Sequence, residues 1–280
     1  MRSLRTTIAL ILFFTFSGSL FAQEAEEKNP EYGWKKEAVG VLNFTQNQFD
    51  NWSQGGESSW SWQMDLNAKF VNDQEKYNWT TSGKFSYGKA KVGDSDAKKA
   101  ADEIKLESVY TYKMWTSVNP YVAVTGMTQF TDGYAYTDSS KVVVSSFMDP
   151  GYFTQSVGLG YKPNDIIGTR LGAALKETVT DKFSDSYADG ESMRTEFGAE
   201  SVTDVKWQVV ENILYTSKLE LFSNLKGIDE IDVNWDNMLS SKITDIITVS
   251  FNFKLFYDKD VHFKRQLKQT LAVGLSYSLL

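Results

Sequence analysis

The stretch Trp60–Phe70, WSWQMDLNAKF, decides how the rest of the chain is read. Trp60, Trp62, Met64, Leu66, Ala68 and Phe70 occupy every second position, and Ser61, Gln63, Asp65, Asn67 and Lys69 fill the gaps. Successive side chains of a strand point to opposite faces, so this segment has one apolar face and one polar face. The same pattern recurs at 247–257, where Ile247, Val249, Phe251, Phe253, Leu255 and Tyr257 alternate with Thr248, Ser250, Asn252 and Lys254. It returns at 270–280, where Leu271, Val273, Leu275, Tyr277 and Leu279 alternate with Ala272, Gly274, Ser276 and Ser278.

About twelve such segments are predicted, near 36–47, 58–71, 76–90, 104–115, 119–131, 151–161, 166–178, 192–204, 211–223, 232–243, 246–258 and 267–279. Most exceed the five or six residues (roughly) of a strand in a soluble protein. They suit a tilted, membrane-crossing strand of about 9–11 residues plus an overhang. The connections alternate in length. Short ones are expected at 72–76, 116–119, 162–165, 205–210 and 244–245, and long ones near 48–57, 91–103, 132–150, 179–191, 224–231 and 259–266. Short periplasmic turns alternating with longer external loops mark an up-and-down transmembrane barrel. The fold class expected is therefore all-β, an antiparallel transmembrane β-barrel spanning 36–280. A soluble sandwich is disfavoured because its strands would be shorter.

The polar face carries both signs of charge. Asp65, Lys69, Lys84, Lys105, Glu107, Arg170, Arg194, Glu196, Lys218, Glu220, Asp236, Lys242 and Lys254 all fall opposite the apolar face and are predicted to point into the lumen. An outward Arg or Lys at midplane would cost about 2–4 kcal/mol. Trp60, Tyr77, Trp79, Tyr87, Tyr110, Tyr112, Tyr161, Trp235 and Tyr277 lie near segment ends, as interfacial girdles require.

The N-terminus carries Arg2 and Arg5 before the apolar run IALILFFTF at 8–16 and the small-residue stretch SGSLFAQ at 17–23. That run is short of the roughly 20 residues of a spanning helix. The pattern predicts a secretory signal peptide over 1–22, cleaved near Ala22, and a short periplasmic segment over 23–35. With no cysteine in the 280 residues, a disulfide scaffold, a thiolate metal site and a lipid-modified N-terminal Cys are all excluded. A net charge of -7 argues against a nucleic-acid partner.

Four stretches resemble the domain-of-unknown-function 3078 (DUF3078) family of Bacteroidota-type outer-membrane β-barrel proteins. They are 42–61 (LNFTQNQFDNWSQGGESSWS), 146–165 (SFMDPGYFTQSVGLGYKPND), 216–225 with 231–237 (TSKLELFSNL and IDVNWDN), and 267–280 (LKQTLAVGLSYSLL). The resemblance implies an outer-membrane barrel of no established activity and supplies no catalytic residues. The chain departs from the expected pattern at Leu279–Leu280, where such barrels usually end in Phe.

Chemistry-bearing motifs are sparse. His262 is the only histidine and lies in an expected external loop without a lipase signature around Ser250 or Ser276. Acidic groups in loops, such as Asp181, Asp185 and Asp189, match no calcium-loop spacing. No catalytic residue, metal site or cofactor is expected. The loop holding Asn51, Trp52, Gln54, Gly55 and Gly56 is read either as a gate at the barrel mouth or as a tight hairpin loop whose Trp anchors at the interface. The reading ranked first is a narrow passive channel or small-solute transporter in the outer membrane, non-enzymatic, with outer-membrane lipid, the barrel assembly machinery and a small polar solute as partners. Behind it stand a non-conducting structural barrel and, last, an integral membrane hydrolase.

Overall fold

A computed structural model describes residues 32–280 except 51, 52, 55, 138, 139, 189, 226–230 and 259–261. Twelve strands form a closed antiparallel barrel. They are β1 (Gly33–Asn47), β2 (Ser59–Asp73), β3 (Tyr77–Val92), β4 (Lys98–Tyr112), β5 (Val118–Thr128), β8 (Gly151–Tyr161), β9 (Ile167–Val179), β10 (Met193–Val210), β11 (Ile213–Asn224), β12 (Ile231–Lys242), β13 (Ile247–Asp258) and β14 (His262–Ser278). Each pairs with its neighbour in sequence, and β1 closes on β14. A two-stranded ribbon, β6 (Gly133–Tyr136) and β7 (Lys141–Ser145), is inserted between β5 and β8. A one-turn helix α1 (Ser184–Tyr187) lies between β9 and β10.

The alternation predicts which face points where. Leu171 is 63% exposed, Phe197 58% and Leu271 75%, while Arg170, Glu196 and Ala174 on the opposite parity are buried. An apolar exterior wrapped around a polar interior inverts the arrangement of a soluble domain. Lipid is the solvent such a surface fits, and closure pairs the strand edges that lipid could not satisfy. Among the described residues no helix is long and apolar enough to cross a membrane. At the short-turn end, rings pair across strands: Tyr77 stacks on Tyr110 with centroids 5.5 Å apart, and Trp34 lies 6.5 Å from Trp79.

Several boundaries differ from the expected ones. β10 runs on through VKWQVV to Val210, so 205–210 is strand and the turn is Glu211–Asn212. The Gln208 side-chain amide donates to the carbonyls of Val210, Glu211 and Ile213 and stabilises that turn. β4 starts at Lys98 because Lys98 and Lys99 pair with Ala90 and Lys89 across a bulge, leaving only 93–97 of the expected 91–103 loop. β14 starts at His262, so 262–266 of the expected 259–266 loop is strand. β1 begins at Gly33, inside the segment expected to precede the barrel. Residues 1–31, which include the expected signal peptide, lie outside the described residues.

Two glycines set one wall. Gly158 of β8 faces Gly172 of β9 and Tyr121 of β5 in register. A Cβ on Gly158 would sit 2.1 Å from the Leu171 carbonyl oxygen, and one on Gly172 would sit 2.7 Å from the Tyr121 hydroxyl. The strands approach this closely only because neither residue has a side chain, and the Tyr121 ring, 3% exposed, fills the space.

Candidate functional site

Alternation places charged side chains on the inner face, and closure brings distant strands together across the interior. Lys84 of β3 lies 3.1 Å from Glu103 of β4 and 3.0 Å from Asp236 of β12. Lys254 of β13 also donates to Glu103. β3 and β12 stand five steps apart around the wall by the shorter route, so their contact crosses the interior. The Asn252 side-chain amide donates to Asp236 at 2.7 Å and holds it in place.

A second cluster surrounds β4 and β11. Lys105 Nζ is 2.5 Å from Glu220, which also accepts from Asn234 Nδ2 at 2.6 Å. Glu107 accepts from Arg170 Nη2 at 2.5 Å and from Lys218. Glu200 and Asp204 flank these cations, 3.9 Å from Arg170 and 3.6 Å from Lys218. A third cluster is centred on Lys176 of β9, whose Nζ is 2.6 Å from Asp232, 2.8 Å from Asp258 and 3.8 Å from Glu196. Arg194 completes it, 3.2 Å from Glu196.

Ten of the thirteen residues predicted to face the lumen meet in these clusters. Asp65 stands apart and accepts from Gln63 Nε2 at 2.9 Å and Ser86 Oγ at 2.5 Å. Lys69 and Lys242 are exposed toward the short-turn ends of β2 and β12. Sequence reasoning missed Glu103, Lys176, Glu200, Asp204, Asp232 and Asp258. Glu103 fell just outside the expected start of β4, and Asp232 stood at the first residue of its expected strand. Lys176 shares its parity with Arg170, so the signal for it was present.

The clusters differ in wetness. The Lys84 and Asp236 side chains keep 32% and 26% of their surface accessible, whereas Glu107 keeps 9% and Arg170 10%. The opposed charges nearly cancel, and Glu107 and Glu220 are held by hydrogen bonds as well as by Coulomb attraction.

Of the loop read as a gate, Asn51, Trp52 and Gly55 lie outside the described residues. Gln54 is exposed in a turn, and the Phe49 ring packs against Gly56. Phe49 N–H donates to Ser58 Oγ at 3.0 Å across the base of the loop. Gln46, Asn47, Ser59, Trp60 and Lys91 line a cleft of about 290 Å³ there. His262 begins β14, and its side chain lies outside the described residues.

The long loop from 129 to 150 is tied at both ends. Asp102 of β4 accepts from the Phe130 and Thr131 amides at 2.6 and 2.9 Å. Asp149, buried, accepts from Thr180 Oγ1 at 2.5 Å and from the Asp181 and Lys182 amides at 2.8 and 3.0 Å. Burial alone would raise the Asp149 pKa, but these donors and the Phe183 amide outweigh it and hold the group below the usual carboxylate range. A depressed folded-state pKa stabilises the fold above the unfolded value, near pH 4, and that stability fades as pH falls through the lower folded value. Asp149→Ala is expected to cost about 1–3 kcal/mol by leaving buried donors unpaired. Hydrogen exchange at the Asp181 and Lys182 amides should lose protection in the variant at neutral pH, and in the native chain only under strong acid.

Residues 44–134 match the family described as Protein of unknown function (DUF3078). The DUF3078 match runs from within β1 to β6 and takes in Lys84, Glu103, Lys105 and Glu107. Among solved structures, the translocator domain of autotransporter NalP from Neisseria meningitidis is 9% identical, with 90% of each chain covered and a TM-score of 0.40. The NanC porin is 9% identical over 87% of this chain and 100% of its own, with a TM-score of 0.41. An outer membrane channel from Pseudomonas putida F1 is 10% identical over 92% of this chain and 98% of its own, with a TM-score of 0.42. No curated protein matches the chain.

Proposed function

We propose that the chain is secreted by its segment 1–22, cut near Ala22, and assembled into a Gram-negative outer membrane as a narrow passive channel for small polar solutes. The observation that carries this reading is the set of ion pairs across the interior that keep water-accessible surface, led by Lys84 with Asp236. A lumen crossed by side chains that remain wet passes water and small solutes and rejects large ones. Near-cancellation of charge gives weak preference for either ion sign. The channel needs no catalytic residue, and the barrel assembly machinery and outer-membrane lipid are its implied partners.

Planar-bilayer recording of the refolded protein tests the reading. Small discrete steps are expected, and Lys84→Ser with Asp236→Ser should raise conductance severalfold with little change in ion selectivity. That pair removes one charge of each sign and so separates widening from a change in net charge. Silence from protein shown by circular dichroism to be folded would sink the channel. One observation favours a second reading, a non-conducting structural barrel: Glu107, Arg170, Lys176, Glu196 and Glu200 are all at most 9% exposed and pack one side of the interior closely. Silence together with envelope defects on deletion would be its signature.

A further inference from the structure

A barrel wall is sealed only where every strand is bonded on both edges, because hydrocarbon offers nothing to an open N–H or C=O. β1 and β2 are paired along all fifteen residues of β1, from Gly33↔Asp73 to Asn47↔Ser59. β14 is paired to β13 from Leu275 up to His262. The closing seam between β1 and β14 is different. Its ladder holds five positions, from Val39↔Ser278 to Asn43↔Gly274, and stops.

Both strands continue past that point. Extending the register would set Phe44 against Val273, Thr45 against Ala272, Gln46 against Leu271 and Asn47 against Thr270. Among the described residues no ladder position joins them. Among the described residues, β14 from Thr270 to Val273 holds a ladder with β13 and none with β1. The open stretch begins inside the apolar band, since Leu42, Phe44, Leu271, Val273 and Leu275 are all exposed on the outer face. It lies in the half of the wall away from the short turns.

The chemistry on the two sides of the gap differs. Outside are the apolar residues just named. Inside, alternation places Asn43 and Thr45 on β1 and Thr270 and Ala272 on β14, all short and uncharged. The three charge clusters draw no residue from β1, β2 or β14. Higher on β14, Lys268 Nζ reaches across to the Ala100 carbonyl of β4 at 3.0 Å. The unbonded stretch of the seam is therefore lined on its inner side by short uncharged side chains.

We propose that the seam above Asn43 and Gly274 is a lateral doorway between the lumen and the outer half of the bilayer. A membrane lipid enters it above Phe44 and Val273, with its acyl chain between Gln46 and Leu271 and its polar head against the uncharged inner wall. Water in the lumen then satisfies the open strand edges, which a sealed lipid environment could not. The proposal rests on the membrane-barrel reading but does not require conduction along the axis.

The chain has no cysteine, so single introduced thiols report cleanly. A fluorophore is attached at Ala272→Cys on the seam, at Thr154→Cys on the inner face of β8 across the barrel, or at Leu171→Cys on the outer face. Each protein is reconstituted in phosphatidylcholine vesicles with and without acyl chains carrying a nitroxide quencher. Quenching at 272 close to that at 171, and well above that at 154, is expected. Quenching at 272 no greater than at 154, with 171 strongly quenched, would overturn the doorway. Weak quenching at all three positions would instead overturn the membrane-barrel reading beneath it.

A second measurement keeps the idea exposed if labelling disturbs folding. The double variant Val41→Cys with Ser276→Cys lies in the bonded part of the seam, and Thr45→Cys with Ala272→Cys lies in the open part. The first pair should oxidise readily and the second far more slowly. Equal, rapid oxidation would mean a seam zipped to the top of β1 and would end the proposal.

Discussion

Replacing Glu107 by alanine is expected to lower the unfolding free energy by about 3–5 kcal/mol, the range found when one partner of a buried ion pair is removed. Glu107 is 8% exposed and serves two cations, Arg170 from β9 and Lys218 from β11. Its loss leaves both inside the barrel without their nearest carboxylate. Glu200 and Asp204 stand farther off, at 3.9 and 3.6 Å, and recover part of the interaction. The cost should fall toward the lower end of the range for that reason. Glu107→Gln keeps an acceptor and should cost less. Urea unfolding of vesicle-reconstituted protein, followed by tryptophan fluorescence, checks both. A loss below about 1 kcal/mol for the alanine variant would place Glu107 in the class of exposed surface pairs and contradict its position here.

Gly158→Ala is the second large effect. The added Cβ would meet the Leu171 carbonyl oxygen at 2.1 Å and the Gly172 Cα at 2.4 Å, both backbone atoms of the paired strand. Flexible side chains yield to an extra methyl, but a strand bonded on both edges does not. Overpacking ordinarily costs about 1–3 kcal/mol, and a backbone contact puts this variant at or above the top of that range. Gly160→Ala is the matched control, because its nearest neighbour is the Asn119 carbonyl at 3.6 Å. It should leave the urea midpoint nearly unchanged. Equal behaviour of the two variants would mean that β8 and β9 can part at little cost.

Much of the barrel is legible in the chain because one physical rule repeats. Side chains alternate across a strand, and a wall with lipid outside and polar side chains inside turns that alternation into a period-two hydrophobic pattern. Twelve segments were found by it, and Lys84, Lys105, Arg170 and Lys218 were assigned to the inner face by parity alone. Where boundaries slipped, local pairing had outrun the pattern. Lys98 and Lys99 are strand because β3 offers them partners, and VKWQVV is strand because β11 does. The β6–β7 ribbon was read as loop because its segments, GYAY and KVVVS, are shorter than a crossing strand. Residues in the 129–150 loop gave no hint that Asp149 would bind the amides of 181 and 182, since the two loops belong to different hairpins.

Composition and periodicity by themselves determined the class of the protein: a chain of long alternating strands with charge confined to one face, which must close on itself to satisfy its edges. They could not determine which charges would meet. Lys84 and Asp236 are 152 residues apart and reach one another only because closure and stagger bring β3 opposite β12. Parity assigns a side chain to a face, but height and bearing inside a barrel come from the accumulated register of all twelve pairings. The same sum decides where β1 meets β14. Nothing in either strand's own alternation stops their pairing at Asn43 and Gly274, and only the closed tertiary structure leaves the edge above it open.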